Sequence, residues 1–221
     1  MTTKTRRLVR GSFQHIVDCF KRADDESITD GGAWYLTANL WAEVVGSRLN
    51  YYGHAVTSTT QERILVGAGL IAAFSPQTNW DTNKTIAWDF SKDLVKPSWC
   101  TDVNYRKAMA IVSVANSSQN PVELEESIDT YLGKGAFKTK AFFHNIVHPE
   151  GDYGPTIDRH AISIYLGKRC KPLELKRGLE SKSNNKTIRD AYIKASKILQ
   201  VHSNQVQAIT WVQWRKELKG E

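Results

Sequence analysis

The sequence predicts an all-α fold, and three observations carry that reading. Apolar residues recur at helical spacing through most of the chain, while the strict alternation of a half-buried strand is scarce. Caps, glycine stops and prolines bracket those periodic stretches. No internal repeat and no low-complexity tract interrupts them. Taking the elements in order, Thr59-Thr60-Gln61-Glu62 has capping-box spacing, in which hydroxyl and carboxylate each satisfy an orphan amide. The run ILVGAGLIAAF follows and stops at Ser75-Pro76; being apolar all round, it predicts a helix buried on most faces. Asp102 is placed to cap a helix whose stripe is Tyr105, Ala108, Ile111 and Val112. Leu124, Ile128, Tyr131 and Leu132 mark the next, which Gly133 ends. A helix over 137–147 follows the glycine turn, and another over 157–166 stops at Gly167. Ile188, Tyr192, Ala195 and Leu199, then Val206, Ile209 and Val212, mark the last two, with Trp211 and Trp214 packing the final helix. Residues 168–185 are polar and basic and read as a loop, with 181–185 (SKSNN) at its mobile tip. The expectation is about nine or ten helices in one unit over 1–221. A hairpin lies near 131–147, and the N- and C-terminal helices can form a second lobe.

A chain of 221 residues can bury one good core or two small lobes, and 41% apolar with 24% charged residues is ordinary globular composition. The net charge of +7 is uneven. Residues 168–221 hold 13 Lys/Arg against 5 Asp/Glu, which is +8, so the remainder sums to −1. A basic quarter of that kind suits a polyanion, nucleic acid being the commonest, and equally suits a lysine-rich solvated surface. Cys19, Cys100 and Cys170 form no CxxC pair. Neither a zinc ribbon nor a disulfide framework is indicated, and three thiols cannot ligate an iron–sulfur cluster, so no cofactor is expected. The start, MTTKTRRLVRGSF, lacks the apolar stretch of a signal peptide. The longest apolar run falls far short of the roughly 20 residues that span a bilayer. The expectation is a cytoplasmic monomer with no membrane contact.

The stretch GKGAFKTKAFFHNIVHPEGDYGPTIDRHA, residues 133–161, carries the candidate chemistry. It places a lysine just after a glycine turn and an aspartate at the mouth of a later helix. In Leu132-Gly133-Lys134-Gly135-Ala136-Phe137-Lys138-Thr139-Lys140 and Ile157-Asp158-Arg159-His160-Ala161 the sequence resembles the helix-hairpin-helix DNA glycosylases, the superfamily that includes endonuclease III. That family pairs a hairpin of the form Leu-Pro-Gly-Val-Gly-x-Lys-Thr-Ala with a Val-Asp-Thr-His-Val segment. Lys138 falls on its catalytic lysine and Asp158, 20 residues later, on its aspartate. A second patch, Ile71-Ala72-Ala73-Phe74-Ser75-Pro76-Gln77 followed by Thr82-Asn83-Lys84, is similar to the family's Ser-x-Gln segment and puts Gln77 on the wedge that fills the stack. The matches run from about residue 60 to 166. The hairpin departs from the family in reading Gly-Lys-Gly-Ala, and Lys140 competes with Lys138 as nucleophile.

The resemblance implies helical lobes around a central cleft, DNA as partner, and excision of a damaged or modified base by an outlying branch, with hypermodified phage-type bases among its substrates. Breaking the N-glycosidic bond puts positive charge on the sugar, and a carboxylate beside C1′ stabilises it. Asp158 suits that role, and it equally suits a plain N-cap. Lys138 could attack C1′ as a neutral amine and lead on to strand cleavage, or could be a solvated lysine touching phosphate. Gly133, Lys134 and Gly135, with Lys140, could bring amides and charge to a phosphate, or form an ordinary turn. Trp34, Tyr35 and Trp80 (and Tyr51) are candidates for the pocket of an extruded base, or core aromatics. His160 reads as support for Asp158. His144 and His148 have no ligand constellation in the sequence. The alternatives are a non-catalytic DNA-binding hairpin module and an enzyme of phage base hypermodification.

Overall fold

The computed structural model describes residues 11–55, 57–76, 78–98 and 100–219. The regular structure among the described residues is all α-helix, with no strand. The chain forms two compact units. One runs from Leu36 to Glu150; the other joins the chain up to Tyr35 with everything from Gly151 onward.

The unit over Leu36–Glu150 holds most of α3 (Trp34–Tyr51) and all of α4 (Thr60–Phe74), α5 (Trp80–Asp93), α6 (Asp102–Ala115), α7 (Pro121–Leu132) and α8 (Phe137–Val147). Helix α4 is its axis. The predicted capping box is present, with Thr59 accepting from the Glu62 amide at 3.1 Å and Glu62 from the Thr59 amide at 3.0 Å. Every residue from Leu65 to Phe74 is buried, as an all-apolar helix requires. Burial of a Leu, Ile or Phe side chain is worth about 1.5–3 kcal/mol, and α5, α6, α7 and α8 all pack on this one helix. Glycine permits a close crossing with α3. A Cβ on Gly67 would stand 1.9 Å from the Ala42 carbonyl oxygen, and one on Gly46 2.1 Å from that of Arg63. The cap of α6 is Thr101 rather than Asp102, which is the first helical residue.

The second unit comprises α1 (Phe13–Lys21), α2 (Asp25–Gly32), α9 (Arg159–Leu166), α10 (Pro172–Glu180), α11 (Lys182–Leu199) and α12 (Ser203–Lys219). Its core gathers Ile16, Val17, Ile162, Ile188, Tyr192 and Val206 around α9, whose residues 161–166 are all buried. Of the loop expected over 168–185, residues 168–171 lie outside any helix, and the remainder is α10 and the start of α11 joined at Ser181. Pro172 sits at the first helical position, where a missing N–H costs nothing, and Glu174 accepts from the Lys171 amide at 2.7 Å. Ser181, expected at a mobile tip, accepts from the Asn184 amide and caps α11. Helix α2 lies on α12 closely enough that a Cβ on Gly31 would meet the Ile209 backbone at 2.4 Å. Three ion pairs support the same region, Lys216 with Asp24 at 2.9 Å, Lys216 with Glu26, and Arg22 with Glu217 at 3.0 Å. No helix among the described residues is long and apolar enough to cross a membrane.

Candidate functional site

Asp158 is the N-cap of α9, half-buried, with Oδ1 accepting from the Ala161 amide at 2.8 Å. The loop that delivers it is fastened along its length. The Gly151 carbonyl accepts from Asn204 at 3.0 Å, Asp152 from Ser203 at 2.5 Å, and the Tyr153 carbonyl from the Arg189 guanidinium. The Thr156 hydroxyl lies 2.8 Å from that of Tyr35, and Ile157 is inserted in the core. A carboxylate at a helix start can accept from amides that have no intrahelical partner, and it lies at the positive end of the helix dipole. The cap uses only Oδ1.

Neighbouring aromatics occupy the same unit. Tyr35 is 4% exposed, and its hydroxyl also contacts Gln207 at 2.8 Å, so the ring is core with its polar end satisfied. Trp34 is half-buried and meets Trp211 edge-on at 5.9 Å; His160 meets Trp211 at 6.3 Å. Burial drives the Tyr192 phenol well above its ordinary pKa, the Thr210 hydroxyl opposing the rise and Cys19 and then Asp158 adding smaller parts to it.

The hairpin lies in the other unit. Gly133 takes φ 107° and ψ 145°, a backbone essentially reserved for glycine. The Lys107 ammonium covers the last carbonyl of α7, that of Leu132, at 2.6 Å, and burial lowers its pKa. Helix α8 opens at Ala136 with no side-chain cap, unlike α4, α5, α6, α7 and α9. Its first turn therefore has no side-chain cap on its amides. Lys134 and Gly135 are exposed beside that end, and no atom lies within 4 Å of a Cβ built on Gly135. Lys138 is the second residue of α8 and half-buried. Lys140 turns toward α7 and pairs with Asp129 at 2.5 Å. Trp80 starts α5, meets Phe142 edge-on at 6.4 Å and lies under the Lys84 ammonium at 5.5 Å. Asn83 is buried and fastens the end of α4 through the Ile71 carbonyl at 3.0 Å. Gln77 lies outside the described residues.

The same helical pair corrects one reading. His144 and His148 do have a carboxylate partner in common. Glu125 Oε1 lies 3.1 Å from His144 Nδ1 and 2.8 Å from His148 Nε2, and His144 Nε2 lies 3.0 Å from Asp129 Oδ1. These residues could hold a metal ion, since one donor atom from each of Glu125, His144 and His148 falls within 4.8 Å of the others. The i, i+4 spacing of the histidines was visible in the sequence; Glu125, on another helix, was not.

A family match covers residues 1–218. The chain belongs to the DUF7178 family. That family is described as of unknown function. No curated protein and no solved structure matches the chain.

Chemically, one unit presents a helix start without a side-chain cap, with Lys134 and Lys138 beside it. The other presents a carboxylate held by its own helix and by a pinned loop. The first arrangement suits phosphate; the second suits stabilising a developing cation.

Proposed function

We propose that this DUF7178 protein is a DNA glycosylase that releases a damaged or modified base by cleaving its N-glycosidic bond. The observation that carries the proposal is Asp158. Its loop is anchored at Gly151, Asp152, Tyr153 and Thr156, and its cap bond needs one oxygen only. An anchored approach of this kind would hold the carboxylate in place for a reacting sugar, as electrostatic preorganisation requires. In the unit that carries the hairpin, the α8 start, Lys134 and Lys138 are the candidate contacts for DNA phosphate. As the C1′–N bond lengthens, Asp158 stabilises the positive charge on the sugar and orients the attacking water. The proton needed on the departing base comes from solvent or from the base's own protonated form.

The uncapped α8 by itself favours a second reading, a hairpin module that binds DNA without chemistry. Incubating the protein with duplexes carrying a panel of damaged and hypermodified bases, and scoring free base by mass spectrometry, separates the two. Release of one base class supports the glycosylase. Salt-sensitive DNA binding with no base released from any duplex leaves the module.

A further inference from the structure

The Glu125–His144–His148 cluster takes no part in the reaction proposed above. Glu125 lies in the first half of α7, and His144 and His148 lie at the last turn and C-cap of α8. Glu125 and His144 each lie about seven residues, or roughly 10 Å of helix, from the turn end of their helices, and His148 lies about one helical turn beyond His144. The cluster therefore sits at the open end of the α7–α8 hairpin. We propose that Glu125, His144 and His148 bind a divalent transition-metal ion of the zinc class, clipping α7 to α8 at the end opposite the turn.

Donor chemistry points to that class. Two imidazoles and one carboxylate suit zinc and its neighbours, whereas calcium and magnesium take oxygen sets. The spacing agrees. With metal–ligand bonds of about 2.0–2.1 Å, tetrahedral ligand atoms stand roughly 3.3 Å apart. The observed N···O separations of 3.1 and 2.8 Å need to open by only a few tenths of an ångström. The outer partners agree as well. A metal-bound imidazole characteristically gives its other N–H to a carboxylate. His144 is arranged that way, with Nδ1 toward Glu125 and Nε2 toward Asp129, and Asp129 is held in turn by Lys140. The side chains of Glu125, His144 and His148 are 20%, 23% and 30% exposed, and a cleft lined by Val122, Glu126 and Thr130 opens beside them. An ion can reach the site, and a fourth position is left for water.

The test uses the full chain stripped with EDTA and titrated with Co²⁺. The site predicts visible d–d absorption saturating at one ion per chain, displaced by Zn²⁺, with a Zn²⁺-dependent rise in Tm that EDTA reverses. Glu125→Gln and His148→Ala should each lose the absorption while keeping a wild-type circular dichroism spectrum. Asp129→Asn should keep one site but weaken it by about 10–100-fold. His202→Ala, at an exposed histidine, should change nothing. Absence of both the band and the Tm response in the wild-type chain overturns the proposal and leaves an ion-pair cluster. A band that survives Glu125→Gln and His148→Ala together overturns it equally.

Discussion

Substitution of Asp158 separates two things that one side chain does. The Oδ1 bond to the Ala161 amide is an N-cap, and Asn caps nearly as well as Asp. Asp158→Asn therefore keeps the cap and removes the charge, at a stability cost limited to the lost dipole interaction of about 0.3–1 kcal/mol. Asp158→Ala removes the cap as well and leaves an orphan amide over the buried face of α9, costing about 1–2 kcal/mol. For a chain of this size that is a fall in Tm of roughly 2–8 °C, against about 1–4 °C or less for Asn. Thermal unfolding by circular dichroism reads the order wild type, Asn, Ala. Both variants should bind duplex DNA with near wild-type affinity, because the phosphate contacts assigned above lie elsewhere, and both should lose base release. An Asn variant as unstable as Ala would refute the cap. An Asn variant with wild-type base release would refute the charge.

Further expectations follow from other residues. Lys140 is tied to Asp129 and the proposed attack is by water, so the product should be an intact strand with an abasic site. Borohydride should then trap no adduct, and Lys138→Gln should weaken DNA binding without abolishing base release; an adduct mapped to Lys138 by mass spectrometry would contradict this. Cys19 is 1% exposed, and burial pushes its thiol up to about 12, so iodoacetamide at pH 8 should label it only in denaturant. Labelling of Cys19 as fast as Cys170 would count against the packing of α1 on α12. The Lys216 ammonium holds the Asp24 carboxyl at about 2, below its usual range. A depressed carboxyl stabilises the folded chain above its ordinary pKa near ~4, and that contribution is lost as pH falls through the folded value. Hydrogen exchange in α2 should therefore accelerate, beyond the intrinsic rate, between about pH 4 and pH 2, and Lys216→Met should shrink that step and leave the part due to the Ser27 amide and hydroxyl.

Where the sequence was readable, a local rule acted alone. The α4 capping box, the glycine ends of α7 and α9, and both bounds of α8 follow from spacing within a few residues. The region 168–185 misled because α10 and the start of α11 carry few apolar residues. Pro172 at the first position, Glu174 on the Lys171 amide and Ser181 on the Asn184 amide are start signals that polar composition obscured. The cap of α6 moved one residue, from Asp102 to Thr101, since both can accept the bond and only the backbone decides. Tertiary pairings were out of reach altogether. Nothing near Asp158 in the chain indicates that Ser203, Asn204 and Arg189 anchor its loop, 51, 53 and 36 residues from their partners. Glu125 stands 19 and 23 residues before the histidines it joins, a separation that no sequence spacing rule covers.

In the proposed reaction Asp158 drives removal of a base. Wild-type protein and Asp158→Asn, matched for folding by circular dichroism and for DNA affinity, should be incubated in single turnover with a duplex holding a base that the wild type releases. Abasic sites counted with an aldehyde-reactive probe should accumulate with the wild type and fall by at least about 100-fold in the variant, the scale of losing one preorganised electrostatic group. Equal accumulation in both, or none with any duplex that the wild type binds, would contradict the account.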